Sequence, residues 1–268
     1  MDNRPIGVFD SGLGGLTAVR EIRSILPSEN IIYFGDTSRV PYGGRSGETI
    51  LKYARQDVRF LRTFDVKAVL VACGTVSSNA LPQLTAENDV PMSGVVEPAC
   101  RRALELTGNR RVGVIATAAT IRSGAYERVI RELDESVEVL SKACPLFVPL
   151  VENGRFHTGD CVIETVAREY LQELKDAGID TLILGCTHYP LLTEVIAGVM
   201  GGSVQLINTG AEAARELKRT LQASDSLAEG QGSTVLYTSD APTGFAALAG
   251  QFLRRDVPDV RHVNIEEY

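Results

Sequence analysis

No apolar stretch in this sequence approaches the roughly 18 uninterrupted residues of a membrane-crossing helix, so no transmembrane helix is expected. The opening residues, Met1-Asp2-Asn3-Arg4-Pro5, lack the apolar region of a signal peptide, and no N-terminal regulatory extension is expected before the first strand. A cytoplasmic location follows. Positive charge is not in excess: 27 Lys and Arg stand against 34 Asp and Glu, a net charge of −7. That balance argues against nucleic acid as the main partner, because phosphate binding needs a basic surface. The cysteines do not pair. They sit at 73, 100, 144, 161 and 186 with no Cys-x-x-Cys spacing, so neither a zinc site nor a disulfide framework is expected, and no metal is assigned. Low-complexity tracts are absent. The polar run from Ser224 to Gly232 is the one segment read as a flexible surface loop.

What is present is an ordinary globular composition, 44% hydrophobic and 23% charged over 268 residues, enough to bury a large core in one or two domains. Short Val/Ile-rich runs alternate with amphipathic segments. The expected strands are Ile6–Asp10, Ile31–Gly35, Lys67–Ala72, Met92–Val96, Val112–Ala116, Val137–Leu140, Thr181–Gly185, Val204–Ile207, Thr234–Tyr237 and Val260–Asn264. Several show little alternation, as expected for strands covered on both faces. Over 158–176, Val162, Ile163, Val166, Tyr170, Leu171 and Leu174 form one helical stripe. Thr209 with Glu212 three residues on reads as a capping box. The βαβα order predicts an α/β fold with parallel sheets.

The sequence also repeats itself. Ile6-Gly7-Val8-Phe9-Asp10 resembles Val112-Gly113-Val114-Ile115-Ala116 at an offset of 106, and Val69-Leu70-Val71-Ala72-Cys73 resembles Leu182-Ile183-Leu184-Gly185-Cys186 at 113. Two similar doubly wound parallel-sheet domains are predicted, with the active site in the cleft between them. Residues 1–97 form the first, completed by 208–268, and residues 98–207 form the second. The crossovers are placed at Glu97-Pro98 and at Asn208–Gly210. Each cysteine-terminated strand would deliver a thiol to the carboxyl edge of its sheet, where α/β proteins bind ligands.

Asp10-Ser11-Gly12-Leu13-Gly14-Gly15, with Asp36 further on, imitates a dinucleotide fingerprint, but the third glycine position is Thr17 and Asp10 would repel a pyrophosphate. The turn is read instead as offering backbone N–H groups, Ser11 and Asp10 to a smaller ligand bearing a carboxylate. Val40-Pro41-Tyr42-Gly43-Gly44-Arg45 is a turn that is either structural or lines a pocket through Tyr42 and Gly43. A strand-ending cysteine is ordinarily a small hydrophobe. The matched Cys73-Gly74-Thr75 and Cys186-Thr187 contexts single out two of the five, leaving Cys100, Cys144 and Cys161 structural. His188 lies beside Cys186, where an imidazole can relay a proton. His157 and His262 have no such neighbours and are left structural. Glu152 sits next to apolar residues, as a solvated loop charge or a functional acid.

At these residues the chain resembles the glutamate racemases, cofactor-independent members of the aspartate/glutamate racemase superfamily. The resemblance runs through 6–17, Gly35-Asp36-Thr37, Pro41-Tyr42-Gly43, Ala72-Cys73, Ser123-Gly124-Ala125-Tyr126, Leu150-Val151-Glu152 and Leu184-Gly185-Cys186-Thr187-His188-Tyr189-Pro190. It implies Cys73 and Cys186 as catalytic thiols assisted by Asp10, His188 and Glu152. It implies Ser11, Tyr42, Gly43, Thr75 and Thr187, together with Asp10 and His188, as substrate contacts. It also implies no cofactor, glutamate as the small-molecule partner, a homodimer, and D-glutamate supplied to peptidoglycan. One position departs: the family usually has Cys-Asn-Thr where this chain has Cys73-Gly74-Thr75. The Gly74 backbone N–H, a water or a neighbouring side chain would then stand in for the amide.

Two facing thiols suit inversion at a carbon, since one base cannot serve both faces of a held substrate. An unperturbed Cys has a pKa of about 8.5, so one thiol must be activated near neutral pH. The alternatives are racemisation of aspartate or another amino acid, prompted by Gly74, and a non-catalytic amino-acid-binding protein.

Overall fold

A computed structural model describes residues 1–255, 257 and 259–268. Ten strands among them form two sheets: β1 (Ile6–Asp10), β2 (Ile31–Gly35), β3 (Ala68–Val71), β4 (Met92–Gly94), β5 (Arg111–Ala116), β6 (Glu138–Ala143), β7 (Thr181–Leu184), β8 (Gln205–Asn208), β9 (Thr234–Thr238) and β10 (Val260–His262). The first sheet has the order β10-β9-β2-β1-β3-β4 and the second β6-β5-β7-β8. Every pairing in both is parallel. The run β2-β1-β3-β4 has its counterpart in β6-β5-β7-β8, so the internal repeat read from the sequence is a repeat of topology. Strands β1, β3 and β7 are buried along their whole length, which is why they read as unbroken apolar runs. The architecture is α/β, with helices covering both sheets.

Local chemistry shifted several boundaries. The strand expected to reach Val96 stops at Gly94, because helix Val96–Leu106 begins there. Glu97-Pro98 therefore lies in a first helical turn, where proline has no hydrogen bond to lose, and the chain passes to the second sheet as a helix. Helix Cys161–Asp176 is capped by Asp160, whose carboxylate accepts from Val162 N at 2.9 Å. Its buried stripe is Ile163, Ala167, Leu171 and Leu174, while Val162 faces solvent. The cap of helix Thr209–Ala223 is Asn208, whose Oδ1 accepts from Gly210 N and Ala211 N at 3.0 and 3.3 Å. Thr209 is not the cap; its hydroxyl donates to Leu184 O at 3.2 Å. That helix packs on helix Leu16–Ile25 and on helix Val96–Leu106. No helix among the described residues is long and apolar enough to cross a membrane.

At the amino end of the first sheet, Lys67 Nζ and Glu29 Oε2 stand 2.6 Å apart with both side chains 1% exposed. Lys67 also donates to Asp2 O and Ser226 O at 2.6 and 2.7 Å, and Glu29 Oε1 accepts from Ala228 N at 2.9 Å. The polar run after Ser224, expected to be a free loop, is thus anchored at 226 and 228. Lys67→Met leaves the Glu29 charge buried without its partner, at a cost of roughly 3–5 kcal/mol. Urea unfolding should show that loss and recovery of most of it in the Lys67→Met/Glu29→Met double variant.

Candidate active site

The carboxyl edges of β1, β3, β5 and β7 converge on one cavity of about 430 Å³. Strand β1 ends at Asp10, whose Oδ2 accepts from Gly12 N at 3.0 Å, folding the turn back on itself. The glycine-rich turn then meets protein rather than a nucleotide. A Cβ on Gly14 would stand 2.5 Å from His188 Nδ1, so glycine is what allows the second domain to seat there. Thr17, the residue that breaks the dinucleotide fingerprint, donates its hydroxyl to Thr187 O at 2.9 Å across the same seam.

Cys73 follows β3 and opens helix Gly74–Asn79. Its Sγ lies 3.6 Å from Ser11 Oγ and the residue is 4% exposed. Burial, and after it the Asp10 charge, push the thiol up to about 12. Asp10 is itself raised by burial, against the opposing pull of the His188 charge and the Gly15 and Gly12 N–H groups.

Cys186 follows β7 and faces the cavity from the other side. Its Sγ stands 3.9 Å from His188 Nδ1, and His188 Nε2 stands 3.0 Å from Glu152 Oε1. Burial lowers the imidazole's affinity for a proton, but the contacts with Cys186 and Glu152 outweigh it and carry His188 up to about 10. Glu152 is the last residue of helix Phe147–Glu152 rather than a loop residue, and its carboxylate, the imidazole and the Cys186 sulfur stand in one line of contacts. Phe252 packs edge-on against the imidazole. Thr187 Oγ1 donates to Asp10 Oδ1 at 3.4 Å, linking the Asp10 side of the cavity to the His188 side.

Thr75 reaches across to Thr117, with their hydroxyl oxygens 2.9 Å apart. Gly43 O accepts from Ala119 N at 2.9 Å, so the 40–45 turn also touches the second domain. Tyr42 and Gly43 line the cavity, but the Tyr42 hydroxyl points away from it, donating to Asp36 within a buried network that holds Arg39 and Asp57. Arg39 donates to Asp36 Oδ2 at 2.6 Å and to Asp57 Oδ1 at 3.1 Å, fixing the turn from behind. Burial and the neighbouring Asp36 raise Asp57 well above the usual carboxylate range.

Two cavity residues that carry a hydroxyl or a thiol were missed in the sequence. Thr117 stands 106 positions after Ser11, the same offset that relates β5 to β1, so extending the repeat by one residue finds it. Cys144, read as structural, lines the cavity just past β6, and burial pushes its thiol up to about 12. Cys100 is buried beneath its helix and Cys161 is exposed, both away from the cavity. His157 lies with its ring tilted against that of Phe156, and His262 is exposed. Among the described residues no three His, Cys, Asp or Glu side chains are grouped to hold a metal ion.

A family model described as Asp/Glu/hydantoin racemase matches residues 16–217. A glutamate racemase of Geobacter metallireducens is 46% identical over 265 residues, covering 98% of this chain and 97% of that one. The crystal structure of a glutamate racemase from Bacillus anthracis superposes with a TM-score of 0.94 at 38% identity, covering 98% of each chain. That of the Francisella tularensis glutamate racemase, in complex with D-glutamate, gives 0.93 at 40% identity, covering 100% of each. The cavity described above lies within a chain that belongs to the glutamate racemase family, among the Asp/Glu/hydantoin racemases.

Proposed function

We propose that this chain interconverts L- and D-glutamate without a cofactor, passing protons at Cα between Cys73 and Cys186. The observation that carries the reading is the pair of thiols entering one cavity from two equivalent sheet edges. The D-glutamate complex of the Francisella tularensis relative supports glutamate as the ligand. The two domains are taken as residues 1–97 with 208–268, and 98–207, because β1–β4, β9 and β10 share one sheet and β5–β8 the other.

In the free enzyme Cys73 keeps its proton, since its thiol is pushed up to about 12, and so serves as the donor. Cys186, beside the charged His188, serves as the base. Its sulfur takes the proton from one face of Cα and Cys73 gives its own to the opposite face. The thiols have then exchanged roles, ready for the other enantiomer. The carbanion between these transfers must be stabilised by the cavity's donors and by exclusion of water. Ser11, Thr75, Thr117 and Thr187 supply hydroxyls, and Pro145, Val148 and Pro149 form an apolar wall. The further parts of the reading, a homodimer in the cytoplasm feeding D-glutamate to peptidoglycan, rest on the family resemblance alone.

The test is incubation of L-glutamate in heavy water. Early D-glutamate should carry deuterium at Cα while recovered L-glutamate stays largely unlabelled, the signature of two bases. D-glutamate that keeps the original proton contradicts the scheme. Binding without any label identifies a non-catalytic amino-acid-binding protein, and faster turnover of aspartate in a panel of pure enantiomers reassigns the substrate.

A further inference from the structure

Three glycines of the first domain meet the second domain around the cavity: Gly14 against His188, Gly43 against Thr117, and Gly74 against Gly185. The first two face side chains. Gly74 faces main chain. A Cβ on Gly74 would stand 2.5 Å from the Gly185 carbonyl oxygen. That carbonyl cannot retreat. Gly185 N donates to Ile115 O at 2.7 Å, and a Cβ on Gly185 would itself meet Ile115 O at 2.9 Å and the Tyr126 ring at 3.3 Å. The Gly185 segment is therefore wedged between β5 and Gly74. Position 74 directly follows Cys73, and position 185 directly precedes Cys186.

We propose that Gly74 is a positioning residue that sets the spacing of the two thiols, by letting the thiol-bearing sheet edges close until main chain meets main chain. The inference deepens the two-thiol reading and rests on it. The side chain absent at 74 leaves no vacancy beside the substrate, because the Gly185 carbonyl occupies its place. An asparagine there, the family's usual residue, would supply an amide and hold the edges apart. Reaction then suffers in one particular way. The sulfur nearer Cα still removes its proton, but the farther sulfur answers less often. The nearer thiol exchanges with solvent and returns a proton to the same face. Exchange with retention gains on inversion.

The experiment compares wild type, Gly74→Ala and Gly74→Asn on L-glutamate in heavy water, following α-deuterium by NMR and enantiomers by chiral chromatography. Inversion should fall on the order of 10- to 100-fold in both variants, the scale set by ångström misplacement of reacting groups. The ratio of label in recovered L-glutamate to inversion should rise in both. That ratio does not depend on the fraction of protein that folds, since both products come from folded enzyme. An unchanged ratio at any overall rate overturns the proposal, as does faster inversion in Gly74→Asn. Failure of both variants to fold, seen by circular dichroism, also overturns it, since the cost would then lie in the fold and not in the spacing. The two-thiol reading is tested separately with Gly74 intact, through Cys73 and Cys186 themselves.

Discussion

Cys73→Ala and Cys186→Ala should each slow glutamate racemisation by roughly 10³-fold or more, with the far-ultraviolet spectrum unchanged. A positioned acid or base is worth about 10²–10⁴-fold, and inversion needs both thiols in one passage, so either loss stops it. The losses should not add: the double variant should be about as slow as the slower single one, as for groups that act as a unit. The two single variants differ in what they leave behind. Cys73→Ala keeps the sulfur, imidazole and carboxylate relay of Cys186, His188 and Glu152. It should still exchange the α-proton of one enantiomer with retention. Cys186→Ala keeps only a thiol pushed up to about 12, which holds its proton at neutral pH, and should exchange far less. Polarimetry combined with deuterium labelling separates these outcomes. Full racemisation by either variant would end the two-thiol scheme.

The second large effect attaches to the proton on His188. An ordinary imidazole loses its proton near neutrality, whereas His188 holds it up to about 10. Activity that depends on this proton is flat through neutral pH and falls as pH rises through about 10. Because the folded pKa lies above the unfolded one, the same proton stabilises the fold fully below about 6.5, and that contribution is lost as pH rises through about 10. Glu152→Gln removes one of the groups that hold the proton, so the alkaline limb should move down toward neutrality. His188→Asn should lower kcat by about 10²- to 10⁴-fold and abolish the limb. A pH–rate profile of each variant settles it: a limb that stays in place in Glu152→Gln would show that Glu152 does not act through His188.

Strands β1, β2, β3, β5 and β7 were legible because each is a short apolar run buried almost throughout, and burial on both faces leaves a continuous apolar signature. Ends were less legible where two local signals competed. Asn208 and Thr209 are adjacent capping residues, and the asparagine won because its carbonyl reaches two free N–H groups at once. The direction of the Tyr42 hydroxyl could not be read at all, since its partners Asp36 and Asp57 lie on other elements. Glu152 was named through the resemblance, but its pairing with His188 comes only from packing of helix Phe147–Glu152. Cys144 had no threonine or histidine beside it, and its place in the cavity comes solely from the strand edge it follows.

The doubled topology puts the two thiols at equivalent places, yet the groups beside them are not equivalent. The position matching Asp10 in the second half is Ala116, and the position matching His188 in the first half is Thr75. One sulfur has a carboxylate near it at the end of the neighbouring strand, the other an imidazole just past its own. The enzyme therefore has a handedness of its own and should treat the two enantiomers differently at saturation. Water does not, since mirror-image molecules have equal free energies there. Thermodynamics then forces kcat/KM to be the same in both directions. Any preference of this cavity for one hand must appear as kcat and KM changing together by the same factor, with a tighter-bound enantiomer always the more slowly turned over.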